Sequence, residues 1–201
     1  SLSRVLLRGA PFPVHGVSVR PASWPAVPHV SGHSVYDPSS GYNIYFQKTD
    51  GSFYNTTNPA VAVNPPLEAG MGMWVQSTGT QSGTNEVVIA GEVVDVGTQS
   101  VAVVEGFQIM AYPYSTDIGI NEMGLGDTPG FLPAFADNLY LWTGGGYEIF
   151  GLNSNQGDQW CNITNWNSVA TDVIEIGQAF WFEAKGAFTW ETPIPYEDAL
   201  K

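Results

Sequence analysis

The chain has 201 residues, 43% hydrophobic and 13% aromatic, enough to bury a sizeable core in one large β domain or two small ones. Nineteen acidic residues against six basic ones leave a formal net charge of −13, and a surface of that sign repels phosphate backbones and anionic lipid, which argues against nucleic acid as a partner. The longest apolar runs, such as EVVIAGEVVDV at residues 86–96, are too short and too interrupted to span a bilayer, so no membrane span is expected.

From the N-terminus, Arg4, Arg8 and Arg20 make up half of the basic residues, and no acidic residue precedes Asp37. Residues 1–36 therefore carry +3 and the remainder −16. Pro11, Pro13, Pro21, Pro25 and Pro28 forbid helix and favour extended chain, so residues 1–36 read as an extended basic arm on an acidic body. Two stretches of the arm are strand-like. The arm either packs along its own body or adds a strand to the open sheet edge of a neighbouring copy. In the second case Val5, Leu6, Leu7, Val17 and Val19 would bury side chains in the neighbour, with Arg4, Arg8 and Arg20 facing its acidic surface. The chain begins at Ser1 with no charged-then-apolar leader, which reads as either a processed mature product or a fragment without its beginning, with processing the preferred reading.

Beyond the arm, apolar residues alternate or come in short runs closed by Gly, Pro, Asn or Asp, the pattern of strands and not of helices. Strands are expected over Asn43–Gln47, Ser52–Asn55, Met71–Gln76, Glu86–Ala90, Glu92–Val96, Val101–Val104, Phe107–Tyr112, Leu139–Trp142, Tyr147–Phe150, Ala179–Ala184 and Phe188–Thr192. Asp50-Gly51 and Gly144-Gly145-Gly146 supply hairpin turns. Residues 118–127 hint at one short helical turn, with Asn121 as its cap.

The phrase EAGMGMWV at 68–75 returns as EIGQAFWF at 175–182. Glu68, Gly70 and Trp74 match Glu175, Gly177 and Trp181 at a spacing of 107, and upstream Asn43, Tyr45 and Gly51 match Asn138, Tyr140 and Gly146 at a spacing of 95. An ordered pair of blocks is more specific than either alone, and it reads as an internal duplication over residues 37–105 and 106–201. The fold expected is an all-β antiparallel sandwich or barrel-like domain of two duplicated halves, with Trp74 and Trp181 as buried anchors and the two glutamates accepting hydrogen bonds in turns.

GFQIMAYPY at 106–114, ADNLYLW at 136–142 and GQAFWF at 177–182 follow one another in this order. In this the chain resembles a β-rich repeat module of secreted bacterial proteins, in which G-F-N-x-I-x-x-P-Y, A-D-x-I-Y-x-W and G-Q-G-F-W succeed one another. The resemblance covers about residues 100–195 well and residues 42–76 less well, and it departs at Gln108, where Asn is usual, and Ala179, where Gly is usual. It implies export, to the cell surface or beyond, and a β fold. It implies no activity.

Catalytic chemistry has little to stand on. His15, His29 and His33 all precede residue 34; a set of His33, Asp37 and Ser31 or Ser34 lacks any G-x-S-x-G frame, and His29 with His33 sits in a Pro-rich stretch without helical spacing for a metal. Glu68 and Glu175 would make an acid pair for glycoside cleavage only if the fold brought them together. No catalytic residue, metal or cofactor is therefore assigned. Cys161 is the sole cysteine and reads as a small buried hydrophobe.

Binding has more. Trp160 and Trp166 alternate with amides in what reads as a loop, which suits stacking on sugar rings if they are exposed. Asn55-Thr56-Thr57 and Asn162-Ile163-Thr164 are sequons for N-linked glycans. The sequence as a whole reads first as an extracellular, non-enzymatic subunit that polymerises with copies of itself by donating its arm, and second as a carbohydrate-binding module whose partners are glycans.

Overall fold

The computed structural model describes residues 13–15, 30–37, 40–48, 51–64, 68–77 and 97–195. Arg4, Val5, Leu6, Leu7, Arg8, Val17, Val19 and Arg20 lie outside the described residues, as do the strands expected over 86–96. The described residues form strands β1 (Pro13–His15), β2 (Val30–Asp37), β3 (Gly41–Gln47), β4 (Phe53–Asn55), β5 (Asn58–Val63), β6 (Gly72–Ser77), β7 (Thr98–Val103) and β8 (Gly106–Ala111). They continue with β9 (Ile118–Gly119), β10 (Asn138–Trp142), β11 (Tyr147–Asn153), β12 (Gln159–Asn162), β13 (Val173–Ile174), β14 (Ala179–Ala184) and β15 (Phe188–Pro193). Three single 3-10 turns are the only helical pieces among them, and none of these is long and apolar enough to cross a membrane. The protein is all-β, and the strand pairs are antiparallel.

The first sheet runs β1-β6-β2-β3-β4-β5, the second β12-β11-β10-β14-β8, and two ribbons pair β7 with β15 and β9 with β13. Period-two alternation sorts the second sheet's side chains: Phe180, Phe182 and Ala184 of β14 and Leu139 and Leu141 of β10 turn to one face. There they meet Phe150, Leu152, Trp160 and, from the β7–β15 ribbon, Val103 and Trp190, in one buried cluster. The segment between β8 and β10 closes this core through polar groups. Trp160 Nε1 donates to the Leu125 carbonyl at 3.1 Å and Trp190 Nε1 to Met123 at 2.9 Å, so each indole is buried with its one donor satisfied. The buried Asp137 carboxylate accepts the backbone N–H groups of Asp127, Thr128 and Lys185, tying that segment to the start of β10 and the end of β14.

Registers in the two sheets agree strand by strand. Trp74 of β6 stands opposite Pro13 and Ser34, Ser34 opposite Ile44, and Tyr45 opposite Asn55. Trp181 of β14 stands opposite Ile109 and Tyr140, Tyr140 opposite Ile149, and Phe150 opposite Asn162. Strand β1 thus takes the place of β8, β2 of β10, β3 of β11, β4 of β12 and β6 of β14. Entry to the last pair is also alike. Gly70 and Gly177 hold φ of 80° and 85°, and Met71 N–H and Gln178 N–H close turns onto the carbonyls of Glu68 and Glu175.

This arrangement corrects several expectations. Tyr45 lies on β3 and Tyr140 on β10, which are not corresponding strands; the residues that do correspond are Tyr42, Ile44 and Tyr45 with Tyr147, Ile149 and Phe150, at a spacing of 105. Both strands of a hairpin carry the same alternating aromatic vocabulary, so matching by residues alone slid by one strand. Of residues 1–36, those described, 13–15 and 30–36, are strand. Strand β2 lies between β6 and β3, and β1 pairs with β6 of its own chain. Val30, Val35 and Tyr36 are strand formers in a stretch without proline, a local signal outweighed by the five prolines before it. Asn121 caps no helix; its amide holds Trp160 N–H at 2.6 Å and the Ala170 carbonyl at 2.8 Å.

Candidate functional site

The face of the second sheet that turns away from its core carries Phe107, Ile109 and Ala111 from β8, Ala179, Trp181 and Glu183 from β14, and Tyr140 and Trp142 from β10. Its middle is the seam with the first sheet. Ile109, Ala111 and Ala179 are buried there with Trp74 and Trp181 packed against them, and the Ala111 N–H bonds the Gly70 carbonyl at 3.0 Å. A side chain at Gly72 would strike Ile109, so glycine is what lets β6 cross so closely. Both tryptophans are consequently half-buried, not core anchors, and among the described residues the fully buried indoles are Trp160 and Trp190.

Beside the seam the aromatic rings gather. Phe107, 45% exposed, lies 5.5 Å from Tyr140 and 6.4 Å from Trp181, centroid to centroid, and Tyr42 of the first sheet, 48% exposed, meets Trp181 edge-on at 6.3 Å. A polar relay borders them: the Tyr140 hydroxyl donates to Glu183 at 2.9 Å, and Lys185 Nζ donates to the other Glu183 oxygen at 2.6 Å. Burial pushes the Tyr140 phenol up to about 12, helped by its bond to the Glu183 carboxylate and by that negative charge. Burial would also raise Glu183, but the donors Lys185 and Tyr140, the lysine's charge and Asn138 outweigh it and hold the carboxyl below its ordinary value. At neutral pH the site therefore presents a neutral phenol and a carboxylate, with Lys185 Nζ beside them, next to flat rings. Such a face can stack on the C–H surface of a sugar and exchange hydrogen bonds with its hydroxyls. Alternation in β8, β10 and β14 is the sequence signal for it, since Phe107, Tyr140 and Trp181 all fall on the parity opposite to the core.

The residues singled out from sequence are dispersed. Trp160 is 2% exposed and packs edge-on to Phe182 at 6.2 Å, so it cannot offer a stacking face; β12 is a core strand and not a loop. It forms the wall of a cleft of about 320 Å³ lined also by Asn121, Asp127, Asp158 and Gln159. Trp166 is half-buried, lying over Gly151 with its indole N–H on the Phe131 carbonyl at 3.0 Å. The neighbouring Phe131 and Phe135 stack at 5.3 Å and are 59% and 58% exposed. Cys161 is buried, and burial pushes its thiol up. Glu68 and Glu175 sit exposed in their two turns, while Asn55 and Asn162 end β4 and β12. Comparison with protein-family models, curated proteins and solved structures returns no match.

Proposed function

We propose that the chain is an exported, non-catalytic β module, built as two copies of one five-stranded unit packed sandwich-fashion, that binds a neutral carbohydrate on its aromatic face. Export is supported by the composition and by the resemblance to modules of secreted bacterial proteins; the duplication is supported by the shared strand order and register. The observation that carries the binding assignment is the cluster of Phe107, Tyr140, Trp181 and Tyr42 beside the Tyr140–Glu183–Lys185 relay. Rings of this kind are normally covered in a β protein, and here two of the four are nearly half exposed next to groups that pair with hydroxyls. The net charge of −13 favours neutral glycans over anionic ones. Affinity electrophoresis through gels containing neutral polysaccharides tests the assignment. Retardation should fall at least about tenfold in a Phe107→Ala, Tyr140→Ala double variant, since each lost ring contact is worth roughly 1 kcal/mol. A variant that is retarded like the parent, or a parent retarded by none of the gels, would remove it.

Polymerisation with copies of itself is the second reading, and one observation favours it. Strand β5 ends the first sheet with no strand on its far side among the described residues, and Ala60, Val61 and Ala62 are exposed along it. Such an edge is a template for an incoming strand, for which the +3 arm of a neighbour is the donor of complementary charge. Two features limit it: Pro59 offers no N–H, and its carbonyl is held by Lys48 Nζ at 2.7 Å. Sedimentation decides between them. A monodisperse monomer over a wide concentration range excludes the polymer.

A further inference from the structure

We propose that Asn55 and Asn162 are acceptors for N-linked glycans in the folded protein. Each asparagine is the last residue of its strand, β4 or β12, and these strands take corresponding places in the two sheets. In the first, the Asn55 side-chain oxygen accepts the Thr57 N–H at 2.8 Å and the Thr57 hydroxyl at 2.6 Å. In the second, the Asn162 oxygen accepts the Thr164 N–H at 3.0 Å and the Thr164 hydroxyl at 2.7 Å. The same two bonds fix both side chains by their oxygens, and in neither does the amide nitrogen donate to any described residue. Thr56, Thr57 and Thr164 are exposed and Asn55 and Asn162 half-buried, so the threonine of each sequon stands at the surface with its asparagine partly covered.

A carboxamide nitrogen is a weak nucleophile because its lone pair is delocalised into the carbonyl, and a transferase must hold the asparagine and the threonine together while it activates that nitrogen. Here the fold has already brought the two side chains into one turn, so the ordering they need is done before an enzyme binds. The co-reactant is a lipid pyrophosphate-linked oligosaccharide, supplied with its transferase by the producing cell. The bond from Nδ2 to the anomeric carbon forms as the bond from that carbon to the phosphate oxygen breaks. The lipid pyrophosphate leaves with the bonding pair, and Nδ2 gives one proton to a base of the transferase. The rest of the surface is compatible with this, because the aromatic face lies on strands β3, β8, β10 and β14, and neither asparagine belongs to them.

A turn kept only for its shape makes a different demand from a turn that is modified, and aspartate separates the two. Asn55→Asp and Asn162→Asp retain the accepting oxygen and lose the nitrogen. The purified, folded full-length chain is incubated with an oligosaccharyltransferase and lipid-linked oligosaccharide, the enzyme having first been shown to modify an unfolded peptide of residues 52–58, and intact mass is read. The parent should gain two glycans, each aspartate variant one and the double variant none; Thr57→Ala should lose the first glycan and Thr57→Ser keep it. Melting temperatures of the aspartate variants should match the parent's. A folded parent that stays at its unmodified mass while the peptide is modified overturns the proposal, as does a glycan count unchanged by Asn55→Asp or Asn162→Asp.

Discussion

The two sheets share strand order and register, yet they bury very different amounts. In the second, one face is roofed by the β7–β15 ribbon and the segment before β10, and the large cluster around Phe150, Trp160, Phe182 and Trp190 lies beneath that roof. In the first, the described buried side chains of the sheet are Tyr45, Tyr54 and Met73, and β5 is exposed along most of its length. A shared hydrogen-bond pattern therefore does not confer a shared core. What differs is the covering layer, and the first sheet leans on the second through Trp74 and Gly72.

The largest expected effect comes from removing the roof's anchor. Trp190 is 1% exposed, and Trp190→Ala should cost about 3–5 kcal/mol, whereas Trp74→Ala, at the half-buried seam, should cost about 1–2 kcal/mol. Chemical denaturation of the two variants measures the difference directly. Equal losses would mean that the sheets depend on one another as a single core. The seam is the next place to press. A methyl group at Gly72 would collide with Ile109 and come within 3.0 Å of the Met110 carbonyl, so Gly72→Ala should cost about 1–3 kcal/mol by overpacking. Hydrogen exchange should show that loss in the first sheet and leave the protection of β10, β11 and β14 close to the parent's. Loss of protection in both sheets alike would refute the idea that the second stands by its own roof.

How much of this the sequence disclosed follows from what alternation can carry. Period two and Gly or Pro punctuation locate β3, β6, β8, β10, β11, β14 and β15 to within about three residues at each end, because each has its own alternating run. Strand β5 escaped notice because Pro59 argues against a strand until one knows that it lies on an edge, where a missing N–H is harmless. Strand β2 was absorbed into the Pro-rich arm. Trp160 looked like a loop residue because amides flank it, yet Asn121 reaches across from another segment to satisfy its backbone, a contact 39 residues distant that no local pattern encodes. The aromatic face was half legible. Alternation divides Phe107, Tyr140 and Trp181 from the core residues beside them, but which of a sheet's two faces is roofed depends on the ribbon and the other sheet.

The finest test compares the two residues that stand opposite an isoleucine and a tryptophan in each sheet, Ser34 and Tyr140. Tyr140, unlike the short Ser34, is long enough to reach a carboxylate, that of Glu183. With its pKa pushed from 10 to about 12, Tyr140 keeps its proton in the folded chain over a window in which the unfolded chain loses it. Its contribution to stability is therefore fully present below pH 10 and is lost as the pH rises through about 12. Glu183 acts in the opposite direction. Its carboxyl is held below the ordinary value, so its contribution is present above the ordinary carboxylate pKa and is lost as the pH falls through the depressed one. Both groups are partly exposed, and the effects on stability are small. The titration itself is the sharper readout: phenolate absorbance of the parent should include one phenol near 12 that Tyr140→Phe loses, while Tyr112, which burial also pushes up, remains. Losing that donor should also move the acid limb of the stability curve to higher pH, because Glu183 would then protonate closer to its ordinary value. If the phenol that Tyr140→Phe removes proves to titrate near the ordinary value of 10, the phenol and Glu183 are not joined in solution, and the polar border assigned to the binding face would have to be sought elsewhere.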